Sequence, residues 1–199
     1  MQKRNWCVLL VLLIITILVL PANAGEKKEA MKPALIIIDI QNQFLPWMVD
    51  EERELGLQMI NNAIWLFRQN GFPVIRVYHS DPNGGPDPDS EAFQFPESVQ
   101  IKDDDPMIIK NYPSAFKKTK LEQMLRDKNC NTVFLCGLSS VGCVLATYFG
   151  AQDRDIDAFM VKNAIMSHKE SYSDFIQEIC DSVSWKTLKV MLENAEKPE

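Results

Sequence analysis

Residues 34–39 read Ala-Leu-Ile-Ile-Ile-Asp, an unbroken apolar run closed by one carboxylate. A short run that is rich in isoleucine and does not alternate suits a strand buried on both faces. Pro73 to Tyr78 is a second run of this kind, Met107 to Lys110 a third and Thr132 to Leu138 a fourth. Stretches of helical spacing separate them. Glu51 to Asn70 carries Leu55, Met59, Ile60, Ala63, Ile64 and Phe67 near one face, and Gly71 closes it. Thr119 to Lys128 and Cys143 to Arg154 are predicted helices. Ile156 to Val161, Ser171 to Ile179, Val183 to Trp185 and Thr187 to Asn194 continue the alternation. The pattern predicts the α/β class, a three-layer doubly wound fold with a mostly parallel sheet and helices on both faces. No repeat or linker divides residues 33–199, so they are expected to form one domain. Ser80 to Pro106 is the one long irregular stretch. It reads either as a lid or substrate wall, or as a tolerated surface insertion.

The chain before that domain is of a different kind. Lys3 and Arg4 precede Trp6 to Leu20, a run of 15 apolar or hydroxyl residues. Pro21 breaks the run, and Ala22-Asn23-Ala24 offers the small residues that a signal peptidase reads. Residues 1–24 are therefore read as a secretory signal peptide cleaved before Gly25, with Cys7 part of the leader. The competing reading is an uncleaved anchor, but the run falls short of the roughly 20 residues a spanning helix needs. Export to a periplasmic or extracellular location follows, with no stable membrane insertion after cleavage. Gly25 to Lys32 is charged and expected to be loose.

The whole chain has 199 residues, 46% of them hydrophobic, and a net charge of −6. The leader holds two positive charges and no negative ones, so cleavage leaves 175 residues at −8. An acidic chain without a basic run is poorly suited to phosphate backbones, so no nucleic-acid partner is expected. At this size a core forms without disulfides. The remaining cysteines are Cys130, Cys136, Cys143 and Cys180; Cys136 falls inside a buried strand, and pairing of Cys130 with Cys180 is left open.

In a sheet of this kind ligands bind beyond the carboxyl ends of the strands. The first strand ends at Asp39 and the third at Lys110. The fourth runs into Gly137-Leu138-Ser139-Ser140-Val141-Gly142-Cys143, a turn that opens a helix. An acid, a base and a thiol should thus meet on one edge. A thiol at a helix N-terminus beside an ammonium is expected to have a lowered pKa, and a carboxylate nearby can take its proton. Backbone N–H groups of the turn can face a developing oxyanion. The chemistry expected is attack on an electrophilic carbonyl or nitrile carbon of a small molecule.

Three segments carry a family resemblance. Residues 36–44, IIIDIQNQF, residues 110–125, KNYPSAFKKTKLEQML, and residues 136–147, CGLSSVGCVLAT, stand in the order and spacing of the isochorismatase-like cysteine hydrolases. The chain resembles that family from about Pro33 to Leu192. The resemblance implies a catalytic triad of Asp39, Lys110 and Cys143, hydrolysis of a C–N bond through a thioester, and no cofactor. It also implies a cis peptide at Leu138–Ser139, with the N–H groups of Ser139 and Cys143 as oxyanion donors, and a homo-oligomer. Gln43 stands where the family often has Asp, and Ser-Ser-Val-Gly where Thr-Asp is common. The nicotinamidases of that family hold a metal near the end of strand two with an Asp and two or more His. Here that region offers His79 and Asp81, and the other histidine, His168, is far along the chain, so no metal is expected.

Phe44, Trp47, Tyr112 and Phe116 lie close in sequence to the triad and could wall an apolar pocket or simply pack at loop-to-helix joins. His79 ends the second strand, where a substrate contact and a structural role are both open. An amidohydrolase is the expected activity. The alternatives are a non-catalytic small-molecule-binding protein on the same fold and an isochorismatase-type vinyl ether hydrolase. The thiol and the export signal favour C–N hydrolysis over the vinyl ether reaction.

Overall fold

The structure, a computed structural model, describes residues 29–82 and 84–197; the expected leader lies outside them. The apolar runs form strands as expected: β1 (Pro33–Ile38), β2 (Val74–His79), β3 (Met107–Lys110) and β4 (Thr132–Leu138). With β5 (Asp157–Met166) and β6 (Ser182–Val183) they make one sheet in the order β3-β2-β1-β4-β5-β6. All its pairings are parallel. Strand order reverses between β1 and β4, the place in such a sheet beyond whose carboxyl ends a ligand crevice forms.

Each β1 side chain has a buried partner layer, which is why the run does not alternate. Leu35 and Ile37 face one core with α1 (Asp50–Gln69) and α5 (Trp185–Glu193). Ala34, Ile36 and Ile38 face the other, with α2 (Leu121–Asp127), α3 (Leu145–Gln152) and α4 (Glu170–Ile179). These are the three expected layers. Among the described residues no helix is long and apolar enough to cross a membrane.

The differences from expectation have local causes. Leu55 is 45% exposed rather than in the core, because Gly56 is the α1 residue that meets the sheet, against Met166. β5 runs five residues past Val161, through a register shift and Asn163 at φ 62°, so that Ile165 and Met166 pair with Gly137 and Leu138. α5 begins at Trp185, before the expected Thr187, because the Ser184 hydroxyl caps it by accepting from the Thr187 N–H at 3.2 Å. The end of the stretch expected to be loose is tied down: Asn131 bonds the Lys32 N–H and the Ala30 carbonyl, each at 2.9 Å.

The long segment from Ser80 to Pro106 is packed. Phe93 and Phe95 are buried and stack on Tyr78 at centroid distances of 4.8 and 4.2 Å. It also pairs with the turn after β1, where the Asn42 and Gln43 N–H groups donate to the carbonyls of Gln94 and Ala92. It therefore forms a fixed wall beside the end of β1.

Candidate active site

Asp39 follows β1 in the left-handed backbone region, at φ 54°, with its N–H bound to the Val77 carbonyl at 2.9 Å. Asp tolerates this conformation better than most residues. The turn moves its carboxyl off the strand line to meet the ammonium at the end of β3. Lys110 ends β3, and its ammonium is fully buried. Lys110 Nζ lies 2.6 Å from Asp39 Oδ2, 3.2 Å from Cys143 Sγ and 3.1 Å from His79 Nδ1. An ammonium has three N–H donors, and here three acceptors surround it.

His79 is therefore brought directly to the other three groups. Burial, with the Lys110 charge adding to it, lowers its pKa. The imidazole is then neutral at pH 7, and Nδ1 is free to accept from Lys110. A residue that sequence reasoning did not single out holds it there. The buried Gln41 amide accepts from the His79 N–H at 2.7 Å and donates to the His79 carbonyl at 3.1 Å. The one signal in the sequence was a second polar side chain two positions beyond Asp39.

The nucleophile turn departs from a regular helix start. The strand reaches Gly137, at φ 115°, where a Cβ would stand 2.0 Å from the Ile38 carbonyl oxygen. That approach admits glycine alone. The Leu138–Ser139 peptide is cis, as the resemblance implied. Ser140–Val144 then forms a wide π-type turn with Gly142 at φ −114°, ψ −108°, and α3 proper starts at Leu145. Cys143 thus sits just after a kink at Gly142, and not in the first turn of a regular α-helix. Thr147 fastens this turn to the lysine segment. Its hydroxyl donates to the Cys143 carbonyl at 2.7 Å and accepts from the Ala115 N–H at 3.0 Å.

The electrostatics correct one expectation. Burial, followed by the charge of Asp39, pushes the Cys143 thiol up to about 12 despite the opposing effect of Lys110. Burial also raises the Asp39 carboxyl, against the opposing pull of Lys110. Asp39 Oδ1 is buried with no hydrogen-bond partner. It is the oxygen left to receive a proton. Asp39, His79 and Cys143 offer ligand atoms within 4.8 Å of one another, a set that could hold a metal ion. The Lys110 ammonium stands among them and already supplies the positive charge.

Of the aromatic candidates, Phe44 and Trp47 lie on the His79 side. Phe44 meets the Trp47 ring edge-on at 5.5 Å and the His79 ring at 6.0 Å, and Trp47 is 62% exposed. Phe116 is buried in the core under the Arg154 guanidinium, so its role is packing. Tyr112 is half-buried, with Lys117 and Lys118 over its ring. The lysine segment turns here: Phe116 enters the core, and Tyr112 stays at its edge. Cys130, Cys136, Cys143 and Cys180 are all free thiols in the structure.

Comparison with known proteins agrees with this architecture. Residues 33–184 match the model of the isochorismatase domain. An uncharacterized isochorismatase family protein of Bacillus subtilis, YrdC, is 29% identical over 136 residues, covering 67% of this chain and 73% of that protein. Enterobactin synthase component B of Escherichia coli is 30% identical over 156 residues, 69% of this chain but 53% of that protein. The solved N-carbamoylsarcosine amidase of Thermoplasma acidophilum superposes with a TM-score of 0.67 at 24% identity, over 77% of this chain and 95% of that one.

Proposed function

The chain belongs to the isochorismatase family of hydrolases, and from that premise we propose that it is a cysteine hydrolase of a C–N bond in a small amide-like molecule. One observation carries the proposal: Lys110 Nζ bridges Asp39 Oδ2 at 2.6 Å and Cys143 Sγ at 3.2 Å inside the crevice. A thiol whose pKa is raised cannot attack as a standing thiolate, so it needs a base at the moment of attack. Asp39 is that base. Its free Oδ1 takes the thiol proton as sulfur bonds to the carbonyl carbon. Lys110 keeps Asp39 ionised beforehand and steadies the sulfur as negative charge passes through it. The carbonyl oxygen becomes an oxyanion facing the N–H groups of Ser139 and Cys143.

Collapse of the tetrahedral adduct breaks the C–N bond. The leaving nitrogen takes the proton back from Asp39 and departs as ammonia or an amine, leaving a thioester on Cys143. Water, deprotonated by Asp39, then attacks the thioester. The acid product leaves, and the proton returns to the sulfur. His79 holds the third N–H of Lys110, and Phe44 with Trp47 provides an apolar flank for the substrate. In this mechanism neither a metal nor an organic cofactor is required.

Residues 1–24 support export as part of the same proposal, and fractionation of cells expressing the full chain tests it. A panel of primary amides, ureas and carbamoyl compounds, read by ammonia release, tests the activity. The expected result is turnover by the wild-type protein and none by Cys143→Ala or Cys143→Ser of equal thermal stability. Undiminished turnover by either variant would overturn the thiol mechanism and favour vinyl ether or other thiol-independent chemistry.

A further inference from the structure

The nucleophile turn starts with two serines, and both are tied to groups far away in sequence. Ser140 is fully buried, and its Oγ lies 3.2 Å from Ser173 Oγ on α4. Ser173 Oγ is also 3.0 Å from Glu52 Oε2 on α1. A hydroxyl has one proton. Ser173 Oγ is placed to donate to both Glu52 Oε2 and Ser140 Oγ, and its one proton serves one of them at a time. The same Glu52 oxygen accepts the Ser167 N–H at 2.7 Å. The Ser167 hydroxyl, fully buried, lies 3.4 Å from Ser139 Oγ. One carboxylate oxygen on α1 thus ends two chains of contacts, one to each serine.

The anchor itself is fixed. The Val49 N–H, at the start of α1, donates to the Ser167 carbonyl at 3.2 Å. One turn beyond Glu52, a Cβ on Gly56 would stand 2.6 Å from Met166 Sδ, so the helix backbone lies directly on the end of β5. Glu52 belongs to one helix layer and Ser173 to the other. They meet around the carboxyl edge of the sheet, beside the turn that carries Cys143. An acid in the first turn of a helix ordinarily complements the helix dipole in solvent. Here it makes a charge-assisted bond to a buried N–H and another to a hydroxyl.

We propose that Glu52 is a positioning residue that holds the oxyanion-binding turn in place through Ser173–Ser140 and Ser167–Ser139. It touches neither the thiol nor the ammonium. The inference rests on the cysteine hydrolase reading, in which Ser139 supplies an oxyanion donor. Its signature is a separation of two reactivities of Cys143. Displacement by iodoacetamide develops no oxyanion. Addition to an aldehyde does: sulfur bonds to the carbonyl carbon, the thiol proton moves to Asp39, and the oxygen gains the negative charge.

The test uses the full-length chain as wild type, Glu52→Ala, Glu52→Gln and Ser173→Ala. Two quantities are measured: the rate of Cys143 alkylation by iodoacetamide, and protection from it by propionaldehyde. For Glu52→Ala the expected result is an alkylation rate within about twofold of wild type and protection weakened by about 10- to 100-fold, as displaced positioning groups cost. Where an amide substrate is found, kcat should fall by a similar factor with KM nearly unchanged. Ser173→Ala, which cuts the Ser140 branch alone, should fall between. Glu52→Gln keeps a carbonyl oxygen for both donors and should recover most of the loss. Unchanged protection in Glu52→Ala overturns the inference while leaving the hydrolase reading intact. Alkylation falling in parallel with protection also overturns it, because the carboxylate would then be holding the whole site together. A wild-type protein that propionaldehyde does not protect overturns the oxyanion reading and this inference with it.

Discussion

Strand β4 and the turn that follows it are adjacent in sequence, yet they are determined in opposite ways. Thr132–Leu138 is fully buried, and the two core layers that receive its side chains decide its conformation. Ser139–Val144 is held by hydrogen bonds, to Ser167 on one side and Ser173 on the other. Each region has one cysteine. Cys136, in the strand, is fully buried with no charged neighbour, and burial alone raises its pKa. Cys143, in the turn, is partly accessible and has Lys110 and Asp39 against it. Burial raises both thiols, so in the proposed mechanism a base within reach, rather than a low resting pKa, is what would set Cys143 apart.

Exchanging the two cysteines in turn tests that contrast most strongly. Cys143→Ala should remove turnover altogether and leave thermal unfolding close to wild type. Asp39→Asn keeps the thiol but removes its base, and kcat/KM should fall by about 10²- to 10⁴-fold, the usual range for a general base. Its alkylation rate near neutral pH should fall too. A rise would mean that the carboxylate only suppresses the thiolate. Gly137→Ala attacks the junction of strand and turn. Its Cβ would meet the Ile38 carbonyl oxygen at 2.0 Å, so a loss of about 3–5 kcal/mol in denaturant unfolding is expected.

A smaller effect appears in the pH profile. In the proposed mechanism Asp39 acts as the carboxylate, so activity should be lost as pH falls. Burial raises this carboxyl, so the acid limb of kcat/KM should have its midpoint above the value of about 4 for an exposed aspartate. The smallest effect is Cys136→Ala. It should cost about 1 kcal/mol of stability, as small deletions in a packed core do, and leave kcat unchanged.

The same contrast explains what could be read from the sequence. The strands were legible because burial on both sides writes itself as a continuous apolar run, as in residues 34–38 and 132–138. The meeting of Asp39, Lys110 and Cys143 was legible because each lies at or just beyond the carboxyl end of a strand, and strand ends converge by topology. The contacts that hold the turn left no local mark. Glu52 is 115 residues from Ser167 and 121 from Ser173, and in the sequence it is one acid among several at the start of a helix. The extension of β5 was hidden by Lys162 and Asn163, which interrupt its apolar run. Tyr112 and Phe116 were near the triad in sequence, but a turn separates their fates.

Rapid acid quench of the protein during turnover of an amide substrate, followed by peptide mass mapping, tests most directly whether Cys143 carries the acyl group while Asp39 moves the proton. A mass increase equal to the acyl group is expected on the peptide containing Cys143, absent from the Cys136 peptide and from Cys143→Ala. Steady hydrolysis with Cys143 unmodified at every quench time, and equal turnover by Cys143→Ala, would contradict it.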